Sequence, residues 1–127
     1  MSKFKEKVIQ IVSAIPYGKV VSYGQVAVMA GVPRAAIQVG SVLNKLEAEV
    51  EVPWWRVINN SGRITIKGSI FTPQDQQDKL EEEGIEFVEQ FKCEIENYRW
   101  RPDEKKLKEF KLEDEYIFKT LSKYNLT

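Results

Sequence analysis

Apolar residues Phe4, Val8, Ile11, Val12 and Ile15 recur at near-helical spacing, which predicts an amphipathic helix over residues 2–14. Pro16-Tyr17-Gly18 breaks that pattern, and Lys19-Val20-Val21 reads as a short extended link. Ser22-Tyr23-Gly24-Gln25 has the S-x-x-Q form of a capping box, in which Ser22 satisfies a free amide of the first turn. The helix it opens runs through Val26, Ala27, Val28 and Met29 and stops at Gly31. Pro33 is placed to start a second helix over residues 34–46. Two short helices joined by Gly31-Val32-Pro33 read as a helix-turn-helix. Ala35, Ala36, Gly40 and Ser41 give the second helix little bulk, so it can lie close to another surface, either a neighbouring helix or a nucleic-acid groove.

Beyond an acidic linker, Glu47 to Glu51, two apolar stretches at 55–58 and 63–66 flank Asn59-Asn60-Ser61-Gly62 and predict a hairpin. Pro73 to Glu83 predicts a polar helix stopped by Gly84, with a strand over 85–88. Tyr98-Arg99-Trp100-Arg101-Pro102 is a compact aromatic and basic cluster. After it come one or two charged helices, with Leu107, Phe110, Tyr116, Ile117, Phe118 and Leu121 as docking contacts. The expected division is a domain over 1–102 and a charged helical extension over 103–127, best read as a solvated cap. The fold class expected is α/β, mostly α.

Composition narrows the chemistry. The chain has 127 residues, 43% hydrophobic and 30% charged, enough to bury one core. No apolar run approaches the ~20 residues that cross a bilayer, so no membrane partner is expected. Met1 to Lys7 lacks a long apolar stretch and a cleavage site, so no secretory leader is expected. Cys93 is the only cysteine, which excludes an intramolecular disulfide and suits a cytoplasmic monomer, nucleoid-associated in a bacterium or nuclear in a eukaryote. Histidine is absent, which excludes Ser-His-Asp and Cys-His catalysis and disfavours a structural zinc site. No metal or cofactor is expected. The net charge of zero hides a split: residues 1–71 hold nine Lys/Arg and four acids, and residues 72–127 the remaining ten and fifteen. A polyanion would meet the first part.

The most informative stretch is Val52-Pro53-Trp54-Trp55-Arg56-Val57-Ile58. Adjacent tryptophans beside an arginine make a flat wall on which a nucleic-acid base could stack, worth roughly 1–3 kcal/mol per base. Paired tryptophans also fit the core of a small domain, and this stretch alone leaves both readings open.

Several motifs in register resemble the C-terminal DNA-binding domain of the O6-alkylguanine-DNA alkyltransferase family, a winged-helix-like helix-turn-helix domain. They are Ile15-Pro16-Tyr17-Gly18-Lys19-Val20, Ser22-Tyr23-Gly24-Gln25-Val26-Ala27, Gly31-Val32-Pro33-Arg34-Ala35-Ala36, Val39-Gly40, and Val52-Pro53 through Arg56-Val57-Ile58. In the alkyltransferases a Cys-His pair follows the proline, and the cysteine takes the alkyl group. Here Trp54 and Trp55 stand at those positions. An indole offers no nucleophile comparable to a thiolate, so alkyl transfer is not expected. Glu83 matches the glutamate that supports the family's histidine and has nothing to relay to. The pattern is similar to that of the alkyltransferase-like proteins, which carry tryptophan for the cysteine.

That resemblance implies non-enzymatic recognition of O6-alkylguanine in duplex DNA by nucleotide flipping, which marks the lesion for nucleotide excision repair proteins. It implies a lesion pocket of Tyr23, Pro53, Trp54, Trp55, Arg56, Lys67 and Trp100, with Tyr23 promoting rotation of the nucleotide. Arg56 serves equally as a structural donor to loop carbonyls. DNA contacts are expected from Ser22, Tyr23, Arg34, Ala35, Ala36, Ile37, Gly40, Ser41, Lys45 and Arg63 in the minor groove. Ile37 departs from the family, which has an arginine there to fill the space left by the flipped base. The alternative is a lesion-independent helix-turn-helix DNA-binding or regulatory protein; a residual enzyme acting through Cys93 is a third class.

Overall fold

The computed structural model describes residues 3–46, 51–66 and 70–121. Helix α1, Lys3–Ser13, buries Val8, Ile11 and Val12, the stripe expected from the spacing. Strand β1, Val21–Ser22, leads into α2, Tyr23–Met29, whose cap is the one the sequence predicts: Ser22 Oγ accepts from the Gln25 amide at 3.0 Å. Helix α2 ends at Gly31, whose φ of +84° is a left-handed conformation that few other residues adopt.

Helix α3, Ala36–Asn44, starts later than the sequence suggests. Pro33 lies in the preceding turn, and the Ala35 amide donates to the Val32 carbonyl rather than opening a helix. No side chain caps α3, so nothing extends it back to residue 34. The α2–turn–α3 unit is a helix-turn-helix.

The hairpin expected across Asn59–Gly62 does not form as a ladder. Its turn is there, closed by the Asn59 amide on the Arg63 carbonyl at 3.0 Å. Strand β2, Val57–Ile58, instead pairs in parallel with β1, Val21 opposite Val57 and Ser22 opposite Ile58. Residues 62–64 turn to a second hairpin, with Cys93 N–H on the Gly62 carbonyl and Ile64 N–H on the Phe91 carbonyl. Trp54–Arg56 is a 3-10 turn rather than strand.

Helix α4, Pro73–Glu82, has a Thr72–Asp75 capping box and ends before Gly84, φ +92°. Strands β3, Phe87–Glu89, and β4, Lys92–Cys93, pair antiparallel, so β3 begins two residues after the expected start. Ile85 has no strand partner because its amide closes α4 on the Leu80 carbonyl. The chain then lies against the far edge of β1: Val20 N–H donates to the Tyr98 carbonyl and Trp100 N–H to the Val20 carbonyl. Helix α5, Glu104–Glu109, and a final helical stretch, α6 at Asp114–Tyr116 continuing through Leu121, complete the chain.

Alternation along β1 and β2 divides the interior in two. Val21 and Val57 join α1, α2 and α3 in one apolar cluster, while Val20 and Ile58 join Ile64, Leu80, Ile85, Cys93 and Ile95 in another. The residues after 102 are built into the first cluster through Leu107, Phe110, Leu112 and Ile117, and Tyr116 Oη donates to the Val28 carbonyl. No helix among the described residues is long and apolar enough to cross a membrane.

Candidate nucleic-acid interface

Three motifs far apart in sequence meet at the carboxylate of Glu83. It receives Gly18 N–H at 2.9 Å, Trp55 Nε1–H at 2.7 Å, and Arg56 Nε and Nη2 at 3.0 and 2.8 Å. The remaining Arg56 nitrogen, Nη1, donates to the Ile15 carbonyl at 2.8 Å. Both partners of the ion pair are sequestered, with Arg56 13% and Glu83 5% exposed. Burial alone would raise the Glu83 pKa, but the bonds from Arg56, Gly18 and Trp55 and the guanidinium charge hold the carboxyl below its usual range. Glu83 therefore has a hydrogen-bond partner at position 55, although an indole gives it nothing to relay to. An indole N–H can only donate, so an ionised carboxylate matches it as well as it would an imidazole N–H. Arg56 makes the structural hydrogen bond to a loop carbonyl that one of its two readings calls for, and it also lines the cavity described below.

Helix α4 fixes the same turn from below. Gln76 is fully buried, and its Nε2 donates to the carbonyls of Trp55 and Val57 at 3.0 Å each. Trp55 is thereby held at backbone and side chain. Trp54 is left half-buried, its ring 4.6 Å from Phe71 at 32° and 6.0 Å from Trp55 edge to face.

These rings wall a cavity of about 540 Å³, a usual size for a ligand site. Tyr23 from α2, Gly40, Leu43 and Asn44 from α3, Val52 and Pro53, Ile66, Ile70 and Lys79 supply further lining. Tyr23 is half-buried; burial raises its pKa, while a side-chain hydrogen bond with Thr65 works the other way. Tyr23, Pro53, Trp54, Trp55 and Arg56 are thus brought together as expected. Trp100 does not line the cavity: pairing of residues 98–100 with Val20 carries it to the first core cluster. Lys67 lies outside the described residues.

Helix α3 presents a second face. Arg34 ahead of it and Ile37, Gln38, Ser41 and Lys45 are exposed at one-turn spacing, with Ile37 83% exposed. The small residues do not share this face. Ala35 is buried in the core, and Gly40 faces the Tyr23 ring and the cavity, leaving Ala36 half-buried and Ser41 outward. Ser22 is likewise buried, its hydroxyl committed to the α2 cap. Arg63 is exposed but sits on Glu89 at 3.1 Å, away from the cavity lining.

The sequence singles out none of Phe71, Gln76 and Lys79. The signal for Gln76 was its spacing of four and seven from Leu80 and Glu83, which puts all three on the inner face of α4. Cys93 is 1% exposed on β4, and burial, with the Glu94 charge second, pushes its thiol up to about 11. Among the described residues no cluster of His, Cys, Asp or Glu could hold a metal ion.

A family model for the 6-O-methylguanine DNA methyltransferase DNA binding domain matches residues 3–85. Alkyltransferase-like protein 1 of Schizosaccharomyces pombe is 42% identical over 106 residues, 80% of this chain and 98% of its own length. A DNA base-flipping protein of Vibrio parahaemolyticus is 42% identical over 102 residues, 80% of this chain and all of its own. A crystal structure of the S. pombe protein in complex with damaged DNA containing O6-carboxymethylguanine superposes with a TM-score of 0.75, covering 80% of this chain and 98% of that one. The chain belongs to the family of the O6-methylguanine-DNA methyltransferase DNA-binding domain, on its alkyltransferase-like branch.

Proposed function

We propose that this protein binds O6-alkylguanine in duplex DNA, rotates the damaged nucleotide into the Trp54 cavity, and leaves the alkyl group in place. The observation that carries this reading is the cavity itself, a stacking wall of Trp54 and Phe71 beside an exposed helix face on α3. Extruding a base costs a few kcal/mol, least where pairing is already damaged. Stacking on an aromatic wall returns an amount of the same order. Selectivity then comes from the weakness of the damaged pair and from the apolar fit of the alkyl group. The named relatives support it: one is called a base-flipping protein, and another was crystallised on damaged DNA.

On α3, Arg34 and Lys45 are suited to phosphates, and Ile37 to entering the stack as an apolar wedge, as minor-groove proteins do with Ile or Leu. Ile37 cannot donate hydrogen bonds to the base left unpaired. Ile37→Arg is therefore expected to tighten binding to an O6-methylguanine duplex by a few-fold, an added contact worth about 1 kcal/mol. Fluorescence anisotropy at one fixed salt concentration would show it, and unchanged affinity would remove the wedge role.

Indoles stand at the positions of the family's alkyl-accepting cysteine and its histidine. Trp54 and Trp55 carry no nucleophile or base, and the Cys93 thiol is buried and protonated at neutral pH. Intact-protein mass after incubation with alkylated DNA is expected to stay unchanged; an added alkyl group would overturn the non-enzymatic reading. A lesion held and not repaired must be handed on, and we assign that step to nucleotide excision repair proteins. The lesion-independent alternative draws on the missing arginine at position 37, and equal binding of modified and unmodified duplexes would establish it.

A further inference from the structure

The cavity lining includes a cation with no ion-pair partner among the described residues. Lys79 on α4 lines it half-buried, its Nζ 4.7 Å from the centre of the Trp55 ring. No carboxylate among the described residues forms an ion pair with it, although four other lysines and arginines on this chain have close acidic partners on neighbouring turns. The other charged residues described in the lining differ in kind. Arg56 is cancelled by Glu83, and Glu51 is exposed, where solvent screens it. A cation half out of water, resting on an indole face, keeps most of its attraction for an anion that enters beside it. Guanine with a methyl or other alkyl group on O6 is neutral and gives it nothing to pair with.

We propose that Lys79 is a specificity-determining residue, which makes the cavity favour O6-substituents that end in a carboxylate over neutral ones of the same size. The proposal rests on the lesion-pocket reading above and names the lesion class within it. The ammonium offers a point charge and rotatable donors on a flexible stem. It can therefore follow substituents of different length, whereas the aromatic wall of Trp54 and Phe71 takes the base. The carboxylate adds the attraction of opposite charges to the hydrogen bond from the ammonium, whereas an uncharged amide of the same shape can only accept the hydrogen bond.

The test compares three duplexes of one sequence, carrying O6-carboxymethylguanine, its neutral isostere O6-carbamoylmethylguanine, or guanine. Each is titrated by anisotropy at one fixed, low salt concentration. Wild-type protein is expected to bind the carboxymethyl duplex about five- to tenfold more tightly than the carbamoylmethyl duplex. Lys79→Met should bring that ratio close to one, and Lys79→Arg should keep it; a thermal melt confirms that both variants fold. A ratio of one in wild-type protein overturns the proposal, as does a ratio that survives Lys79→Met. An equal loss on all three duplexes also overturns it, because Lys79 would then be a phosphate contact. The guanine duplex isolates the parent reading. If neither lesion is preferred over guanine, the lesion pocket fails; if both are preferred equally, only the Lys79 inference fails.

Discussion

Trp54→Ala is expected to lower affinity for an O6-methylguanine duplex by tenfold or more while leaving binding to unmodified DNA nearly unchanged. The expectation follows from where the ring stands. Trp54 is half-buried and faces Phe71 across 4.6 Å, so its loss removes wall rather than core. Stacking of a base on an aromatic is worth roughly 1–3 kcal/mol, which converts to about 5- to 150-fold in affinity. Contacts by the exposed face of α3 do not pass through position 54 and should persist. Trp54→Phe should recover part of the loss. Anisotropy with paired modified and unmodified duplexes reads the ratio directly. A ratio untouched by Trp54→Ala would mean that the damaged base is read elsewhere.

Glu83→Gln should have the largest effect on stability, a loss of about 3 kcal/mol with a fall in Tm of roughly 10–15 °C. The amide cannot accept from Gly18, Trp55 and both Arg56 nitrogens at once, and Arg56, 13% exposed, is left buried without its counter-charge. Chemical denaturation at neutral pH measures the loss. The dependence on pH has a definite sign. The folded Glu83 carboxyl titrates below its unfolded value, so its contribution is complete above about pH 4.3, the unfolded value. It is lost as pH falls through the folded value. Wild-type stability should therefore drop across that acidic window more steeply than that of Glu83→Gln. Parallel curves would show that Glu83 is not the group responsible.

Much of the fold was legible where local signals were strong. The stripe of α1, the Ser22 cap and the glycine stops at Gly31 and Gly84 each depend on residues within a turn or two. What the sequence hid was pairing at a distance. Val57 and Ile58 read as half a hairpin because a turn follows them, yet they find Val21 and Ser22 some 36 residues back. The same holds at the site. Trp54, Trp55 and Tyr23 could be placed by motif, but Phe71 and Lys79 reach the cavity only because α4 docks through Gln76. Trp100 was misplaced for the same reason: its motif is local, whereas its position is set by bonds to Val20. Helix periodicity also misled slightly on α3, since small residues at 35, 36, 40 and 41 suggest one smooth face although they point to several.

The division of the interior by β1 and β2 bears on how binding should be felt by the whole molecule. Tyr23 and Leu43 pack on the first cluster, Trp55 and Ile66 on the second, and all four line the cavity. Proteins open locally in cooperative units that follow such clusters. A nucleotide seated between the two would act as a reversible crosslink, stabilising only states in which both clusters are closed. Damage recognition would then leave a signature far from the DNA. Amides beneath α1 and those beneath α4, able to exchange in separate openings in the empty protein, would become protected together once the base is in place.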